Sequence, residues 1–190
     1  RELHMRYEDG LAVWDALRAI GVLAVGVETY ANSRRLEKSL RLQNADLHTQ
    51  YNLLEAALAR PKVKEADFRG KAKHVKYRER DHQPAMLCTL IMTENVDANG
   101  VARYPVGNLP VMDPETGNTL VDELGRRSYT TSIAFGPSIG KNIALAYLPW
   151  DYCQEGRKLT VSYMDEIYPV EVVGIGYKPL YDPENLKPRS

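Results

Sequence analysis

The second half of the chain is a series of short apolar segments separated by turn-forming residues, and this pattern limits the possible folds more than any other feature. Each segment is rich in β-branched, aromatic or aliphatic residues, and Gly, Pro or Asp lies between neighbouring segments. Short strands at such spacing predict an antiparallel barrel or sandwich. Strands are expected over 86–92, 106–112, 128–134, 143–148, 158–164 and 168–174, with a hairpin turn over 97–100.

The first sixty residues follow a different, mainly helical pattern. Apolar side chains at helical spacing predict a helix over residues 11–20, and a second helix is expected over 31–42. Residues 22–28 are apolar and partly β-branched, which predicts a buried strand. A further helical turn or two is expected over 53–58.

A charged stretch lies between these two patterns. Residues 61–83 carry many Lys, Arg, Asp and Glu side chains, and such a run forms a solvated surface more often than a binding site. Because the pattern changes on either side of it, we expect a domain boundary within residues 60–80.

The composition excludes several classes of partner. Lys and Arg together number 25, as do Asp and Glu, so the formal charge is zero and nothing favours nucleic acid or an anionic membrane surface. No apolar run approaches the roughly 20 residues that span a bilayer. The two cysteines, Cys88 and Cys153, form neither a CxxC motif nor a disulfide framework, which favours a reducing compartment. We therefore expect a cytoplasmic protein with no nucleic-acid and no membrane partner.

Local motifs do not identify a catalytic centre. The four histidines have no metal-ligand spacing, and residues 136–141 lack the register of a phosphate-binding loop, so no metal site is expected. The chain opens at Arg1 directly inside a patterned segment. We therefore expect an N-terminal part of the same protein upstream of Arg1, and the catalytic residues, unknown from this sequence, to lie there.

Several motifs together resemble the glycine-cleavage T-protein family. Residues 2–17 resemble its "F-E-(I/L)…LWDAL" stretch, and residues 30–38 (YANSRRLEK) its "AR(D/N)xLRLEKG" signature in the variant of dimethylglycine-dehydrogenase-like members. Residues 46–47 match the "D-(L/M)" that follows, and 66–71 resemble "DFIGKxAL". Residues 129–149 are similar to the barrel signature "TSGxxSPxLxxxIALAYVP". No single motif is specific, but the ordered set is.

The resemblance implies an α+β fold: the end of an α/β folate-binding domain followed by an antiparallel C-terminal β-barrel. Residues 1–65 would be the C-terminal part of the folate-binding aminomethyltransferase-like domain, and residues 66–190 the barrel domain. The implied cofactor is tetrahydrofolate, held so that its N5 faces a one-carbon donor.

Three residues are implied as cofactor contacts. Glu2 falls on the family's pterin-binding glutamate, whose carboxylate accepts two parallel N–H bonds; a partly exposed segment end is the alternative. Tyr30 precedes the position of a family arginine that contacts folate. Tyr181 lies near a C-terminal folate contact, with simple packing of a tail tyrosine on the barrel as its alternative.

The chain departs from the family pattern at one position and matches it at two others. The family arginine lines up with Ala31, so its contact is absent or is supplied by another group such as Arg34. Arg35 and Glu37 match family residues that we interpret as structural, either as an internal ion pair or as a tie between helix and barrel.

Three functions remain open at this stage. The first is tetrahydrofolate-dependent O-demethylation of a methoxylated aromatic acid, as in catabolism of lignin-derived aromatics, with methyl transfer to folate N5. The second is an aminomethyltransferase, or the folate domain of a dimethylglycine- or sarcosine-oxidising enzyme. The third is a non-catalytic regulatory relative. In the first two, the partner is a small-molecule methyl or one-carbon donor.

Overall fold

A computed structural model describes residues 3–186. Helices occupy mainly the first half of the chain and strands the second half. The helices are α1 (Gly10–Ala19), a π-helix (Thr29–Arg34) that continues into α2 (Arg35–Glu37), and α3 (Lys71–Arg78), with 3₁₀ turns at Tyr7–Asp9 and Trp150–Tyr152. The strands are β1 (Ala85–Met92), β2 (Val111–Met112), β3 (Thr130–Gly136), β4 (Lys141–Pro149), β5 (Lys158–Tyr163) and β6 (Glu166–Ile175).

The strands form one antiparallel sheet that curls into a barrel. Its order is β2-β5-β6-β1-β4-β3, so β2 and β3 are the two edges. Backbone hydrogen bonds join these edges: the Val111 N–H donates to the Ser128 carbonyl (3.0 Å), and the Thr130 N–H donates to the Leu109 carbonyl (2.8 Å). Because the two edges are hydrogen-bonded to each other, neither presents a row of unpaired backbone groups at this point. The predicted antiparallel barrel is confirmed.

The barrel interior holds the main hydrophobic core. Every strand contributes, since period-2 alternation sends every second side chain inward. Strand β6 shows this alternation, whereas β4 is buried along almost its whole length. The second face of β4 is covered by the segment from α2 to residue 58, which adds a smaller core around Leu36, Ala56 and Tyr147.

An arginine ties the end of that segment to the barrel. Arg126 pairs with Asp122 (Nε–Oδ2 2.7 Å) and with Glu55, and its guanidinium lies 4.3 Å from the Tyr51 ring centroid. The Tyr51 ring in turn stacks on Tyr147, with centroids 3.6 Å apart. These contacts join residues 51–55 both to the loop that carries Arg126 and to Tyr147 of β4. They therefore hold residues 51–55 against the barrel.

The predicted strand over residues 22–28 is wrong. Val25 and Val27 are 67% and 71% exposed, and within residues 3–186 no strand pairs with this run. An apolar, β-branched sequence supplies only the propensity for a strand, whereas the ladder requires a neighbour. The predicted helix over 11–20 is confirmed as α1, although Leu11 and Trp14 are exposed.

Two other predicted elements differ in extent. The helix expected over 31–42 is a π-helix followed by one α-turn, and Ser39, with φ +54°, ends it. The strand expected over 106–112 is reduced to Val111–Met112.

The charged stretch contains α3, whose residues are not buried, and the domain boundary near it stays a prediction. No helix within residues 3–186 is long and apolar enough to cross a membrane.

We expect Gly136→Ala to destabilise the barrel. A Cβ at this position would lie 2.5 Å from Ile143 Cδ1 and 3.2 Å from Glu37 Cγ. Overpacking of this kind costs about 1–3 kcal/mol of unfolding free energy, measured by urea denaturation.

Ile143→Val removes the clashing methyl, so the double variant should lose at least about 0.5 kcal/mol less than the sum of the two single variants. Gly10→Ala is the matched control, because nothing lies within 4 Å of its Cβ position. Strict additivity would contradict the steric explanation.

Candidate functional site

A groove of about 510 Å³ lies between the 30–42 segment and the C-terminal part of the chain. The π-helix and α2 form one wall, and Tyr181 lies on the other side. Insertions that give a π-helix occur often at functional sites, because they displace backbone and side chains from regular helical positions. The groove is therefore the first candidate for a binding site.

A buried ion pair fixes the helical wall. Arg35 Nη1 lies 2.7 Å from Asp46 Oδ2, and both side chains are almost fully buried. The same carboxylate accepts bonds from the hydroxyls of Thr131 (2.5 Å) and Ser132 (2.7 Å) and from the Leu42 N–H (2.8 Å). Charged oxygens taken out of water need this number of partners. The pair is stable in position because its hydrogen-bonding capacity is used.

The pair also joins the wall to the barrel. Arg35 Nη2 donates to Ser132 Oγ of β3 at 2.6 Å, and its Nε donates to the Ala31 carbonyl. Tyr147 of β4 donates its hydroxyl to the Asp46 carbonyl at 2.8 Å, and burial raises the pKa of Tyr147, which keeps that donor protonated. Arg35 is thus the predicted tie between helix and barrel. Its ionic partner is Asp46.

Glu37 connects the two sides of the groove. Its backbone carbonyl accepts the N–H groups of Leu180 (2.9 Å) and Tyr181 (3.0 Å), which places the tyrosine at the groove. Its side chain is 1% exposed, and Oε1 accepts the Ser138 N–H at 2.6 Å. Oε2 has no hydrogen-bond partner within the described part of the chain. Because this oxygen is buried, a ligand N–H group can reach it only when the side chain or its neighbours move.

Arg41 presents the complementary chemistry. Its Nη1 donates to the Ser39 carbonyl at 2.9 Å, but Nε and Nη2 are buried and have no partner among residues 3–186. Burial lowers the pKa of Arg41, an effect that nearby Tyr147 and Asp46 oppose, and the guanidinium lies 5.5 Å from the Tyr177 ring centroid. Arginine stays charged in proteins, so these two donors suit a carboxylate or another anion.

Two further cations lie beside Tyr181. Arg34 Cζ is 6.0 Å and Lys38 Nζ 5.7 Å from its ring centroid. Lys38 Nζ also donates to the Asp182 carbonyl (2.6 Å) and to Asn185 Oδ1 (3.1 Å). Lys38 therefore fastens the tail that carries Tyr181. The groove combines positive charge with one buried carboxylate.

The predicted contacts fall in this region where the structure describes them. Tyr30, 67% exposed, and Tyr181, half-buried, both line the groove, although 151 positions of sequence separate them. Glu2 lies outside the described residues. Arg34, named as a possible replacement for the arginine missing at Ala31, lines the same groove.

Sequence reasoning missed Glu37 and Arg41 as groove residues. Glu37 stood in a quoted motif but was interpreted as purely structural, and no pattern distinguished Arg41 from other surface charges. Within residues 3–186, no group of three His, Cys, Asp or Glu side chains could hold a metal ion.

Residues 107–182 match the glycine cleavage T-protein C-terminal barrel domain. The chain is 29% identical over 180 residues to human mitochondrial dimethylglycine dehydrogenase. The aligned region makes up 90% of the chain and 19% of that enzyme. It is 30% identical over 175 residues to an aminomethyltransferase of Exiguobacterium sibiricum, an alignment that covers 86% of the chain and 43% of the relative. It is 26% identical over 185 residues to the trimethylamine-oxide aldolase of Ruegeria pomeroyi, an alignment that covers 94% of the chain and 21% of the relative. The chain thus spans less than half of each of these relatives.

A solved structure has the same fold. The aminomethyltransferase T of the glycine cleavage system from Bartonella henselae superposes with a TM-score of 0.68 at 22% identity, covering 88% of this chain and 44% of that one.

We expect Asp46→Asn to destabilise the protein by about 3 kcal/mol or more in urea unfolding, because it leaves the buried Arg35 without its counter-charge. The matched control is Glu171→Gln. That change breaks the exposed pair with Lys158 and should alter stability by no more than about 0.5 kcal/mol. Equal effects of the two changes would show that the Asp46 network does not hold the groove wall.

Proposed function

The chain belongs to the glycine-cleavage T-protein family, as its C-terminal part, and on that premise we propose that the protein is a tetrahydrofolate-dependent one-carbon transferase. The observation that carries this proposal is that two residues lining one groove have buried polar atoms without a partner among residues 3–186: Glu37 Oε2 as an acceptor, and Arg41 Nε and Nη2 as donors.

The groove residues fit the chemistry of a folate. A folate has a pterin edge with N–H donors, an aromatic linker and a carboxylate tail. Glu37 can accept an N–H bond, Arg41 can bind a carboxylate, and Tyr30 and Tyr181 offer aromatic surface. The groove volume of about 510 Å³ lies within the usual range for small-molecule sites. When bound, the cofactor supplies N5 as the acceptor of the one-carbon unit.

We retain Glu2, Tyr30 and Tyr181 as proposed cofactor contacts and add Glu37 and Arg41. In this proposal Arg41, rather than Arg34, supplies the cationic contact missing at Ala31. The reason is that Arg41 has two buried donors without partners in the described part of the chain, whereas Arg34 is exposed. A buried charged hydrogen bond contributes more to binding than an exposed one.

The rest of the active site would lie in the upstream part of the protein. Most apolar residues of the 3–27 region are exposed in this structure, including Leu11, Val25 and Val27. Contiguous apolar surface usually marks an interface. We propose that the upstream part packs here, pairs with residues 22–28 and brings the catalytic acid or base to the groove.

A nitrogen-bound one-carbon donor is our first candidate. The names of the relatives refer to dimethylglycine, to aminomethyl transfer and to trimethylamine oxide. O-demethylation of a methoxylated aromatic acid stays the second candidate, favoured by the replacement of the family arginine at Ala31. A phenolate leaving group would then need a general acid. A regulatory, non-catalytic role is the third.

The decisive experiment incubates the longer protein with tetrahydrofolate and one donor at a time. The donors are dimethylglycine, sarcosine, vanillate and syringate, and mass spectrometry follows the folate product and the demethylated donor. We expect methylene-tetrahydrofolate from the amines when the longer protein carries a flavin, because the N-methyl carbon must lose two electrons to reach the methylene level; the flavin accepts them, and the demethylated amine is released. Methyl-tetrahydrofolate with a matching phenol would favour the aromatic donor instead, and the absence of any folate product or binding would leave only the regulatory role. The 190-residue chain alone should give no product, because in this proposal the catalytic acid or base lies in the upstream part.

Arg41→Met should weaken tetrahydrofolate binding by the longer protein about 10- to 100-fold, since charge-assisted hydrogen bonds contribute about 1.5–3 kcal/mol. Isothermal titration calorimetry gives the dissociation constant. The matched control is Arg157→Met: Arg157 also lies over a tyrosine ring, 5.0 Å from the Tyr152 centroid, but outside the groove. Equal affinities for both variants would remove Arg41 from the site.

A further inference from the structure

The two cysteines lie in contact, although no motif in the sequence connects them. The Cys88 and Cys153 sulfur atoms are 3.8 Å apart, although 65 positions separate them in the chain. Cys88 lies within β1 and points into the barrel core, where it is fully buried. Cys153 follows the 3₁₀ turn Trp150–Tyr152 and packs against that core while remaining partly accessible. Neither residue lines the groove.

We propose that Cys88 and Cys153 are a modification site at which a peroxide forms a reversible intramolecular disulfide. The geometry carries this inference. A disulfide has an S–S distance of about 2.05 Å, so the two sulfurs need to approach by about 1.8 Å. Cys153 can make this movement because it lies at the end of a 3₁₀ turn outside the strands, whereas Cys88 is fixed in the central part of the sheet.

The two thiols have different tasks in the reaction. Cys153 is the one that a small oxidant can reach, and the hydrogen bond that it receives from the Cys88 thiol lowers its pKa, which favours the thiolate. The same contact, together with burial, raises the pKa of Cys88. Because thiolates are the reactive form, Cys153 is the peroxidatic cysteine and Cys88 the resolving one.

The reaction then has two balanced steps. The Cys153 thiolate attacks one peroxide oxygen, the O–O bond breaks, and the products are a sulfenic acid and hydroxide, which takes up a proton to give water. The Cys88 sulfur next attacks the Cys153 sulfur, the S–O bond breaks, and the hydroxide leaves with the Cys88 proton as a second water. Two thiols lose two electrons in total, and the peroxide is reduced to two waters. A small thiol reverses the process by exchange.

The bond would stiffen one end of the barrel. It would link β1 to the turn that follows β4, where the Trp150 N–H already donates to the Pro84 carbonyl at 3.2 Å. A cross-link across 65 positions restricts the unfolded chain, so the oxidised protein should unfold about 5 °C or more above the reduced one. This inference does not depend on the proposed folate chemistry.

The test oxidises the 190-residue protein with a small excess of hydrogen peroxide, blocks free thiols with iodoacetamide and maps peptides by mass spectrometry without reduction. We expect a peptide joined through Cys88 and Cys153, lost on treatment with dithiothreitol, and a raised thermal midpoint. Only intermolecular disulfides, or a Cys153 sulfinic acid beside an unmodified Cys88, would overturn the proposal. This first test needs no variant and therefore no assumption about variant folding.

Two variants separate the roles of the thiols. In Cys88→Ser, Cys153 should stop at the sulfenic acid and be trapped by dimedone. In Cys153→Ser, Cys88 should remain unoxidised because it is fully buried. The thermal midpoint of each variant before oxidation checks that it is folded. Dimedone labelling of Cys88 instead of Cys153 would reverse the assignment and contradict the mechanism.

Discussion

The buried ion pair between Arg35 and Asp46 is the interaction on which the rest of the structure depends. It joins a short, irregular helix that could not be stable alone to two strands of the barrel, through Ser132, Thr131 and the carbonyl contact of Tyr147. A charge pair in an apolar interior is costly unless every donor and acceptor is used. Here the partners come from both parts of the chain, so neither part satisfies the pair without the other. The pair therefore specifies one arrangement of helix and barrel.

The barrel could be predicted from the sequence, and most of its strands lie close to their expected positions. The physical reason is that apolar residues at every second position, such as Val170 and Val172 of β6, are visible in the sequence and are the ones that the barrel buries. The strand expected over residues 22–28 shows the limit of this reasoning, because a sequence does not state whether a pairing neighbour is present. The residues that were expected to contact folate depended on the family resemblance alone.

The groove could be predicted only in part. Tyr30 came from a motif and Tyr181 from the resemblance of the C-terminal segment to the family, but their proximity results from backbone bonds to the Glu37 carbonyl, which no sequence pattern encodes. Arg41 is one of 25 Lys and Arg residues, and what distinguishes it is that two of its buried nitrogens, Nε and Nη2, have no partner among residues 3–186. The same holds for the two cysteines, whose proximity follows from the path of the chain after β4. Long-range contacts of this kind are the part of a site that local reasoning does not reach.

The closure of the barrel has a consequence for the order in which the molecule assembles. The backbone bonds between 109–111 and 128–130 join residues about twenty positions apart, whereas Ser132 and Arg35 are separated by 97. Short loops close at a lower entropic cost, so the barrel edges can meet early in folding and then offer a template to the helical segment. During synthesis the Arg35 segment leaves the ribosome long before its template exists. It can dock only after β3 and β4 have formed. The groove is complete only when the segment that carries Tyr181, which is synthesised later still, packs against it.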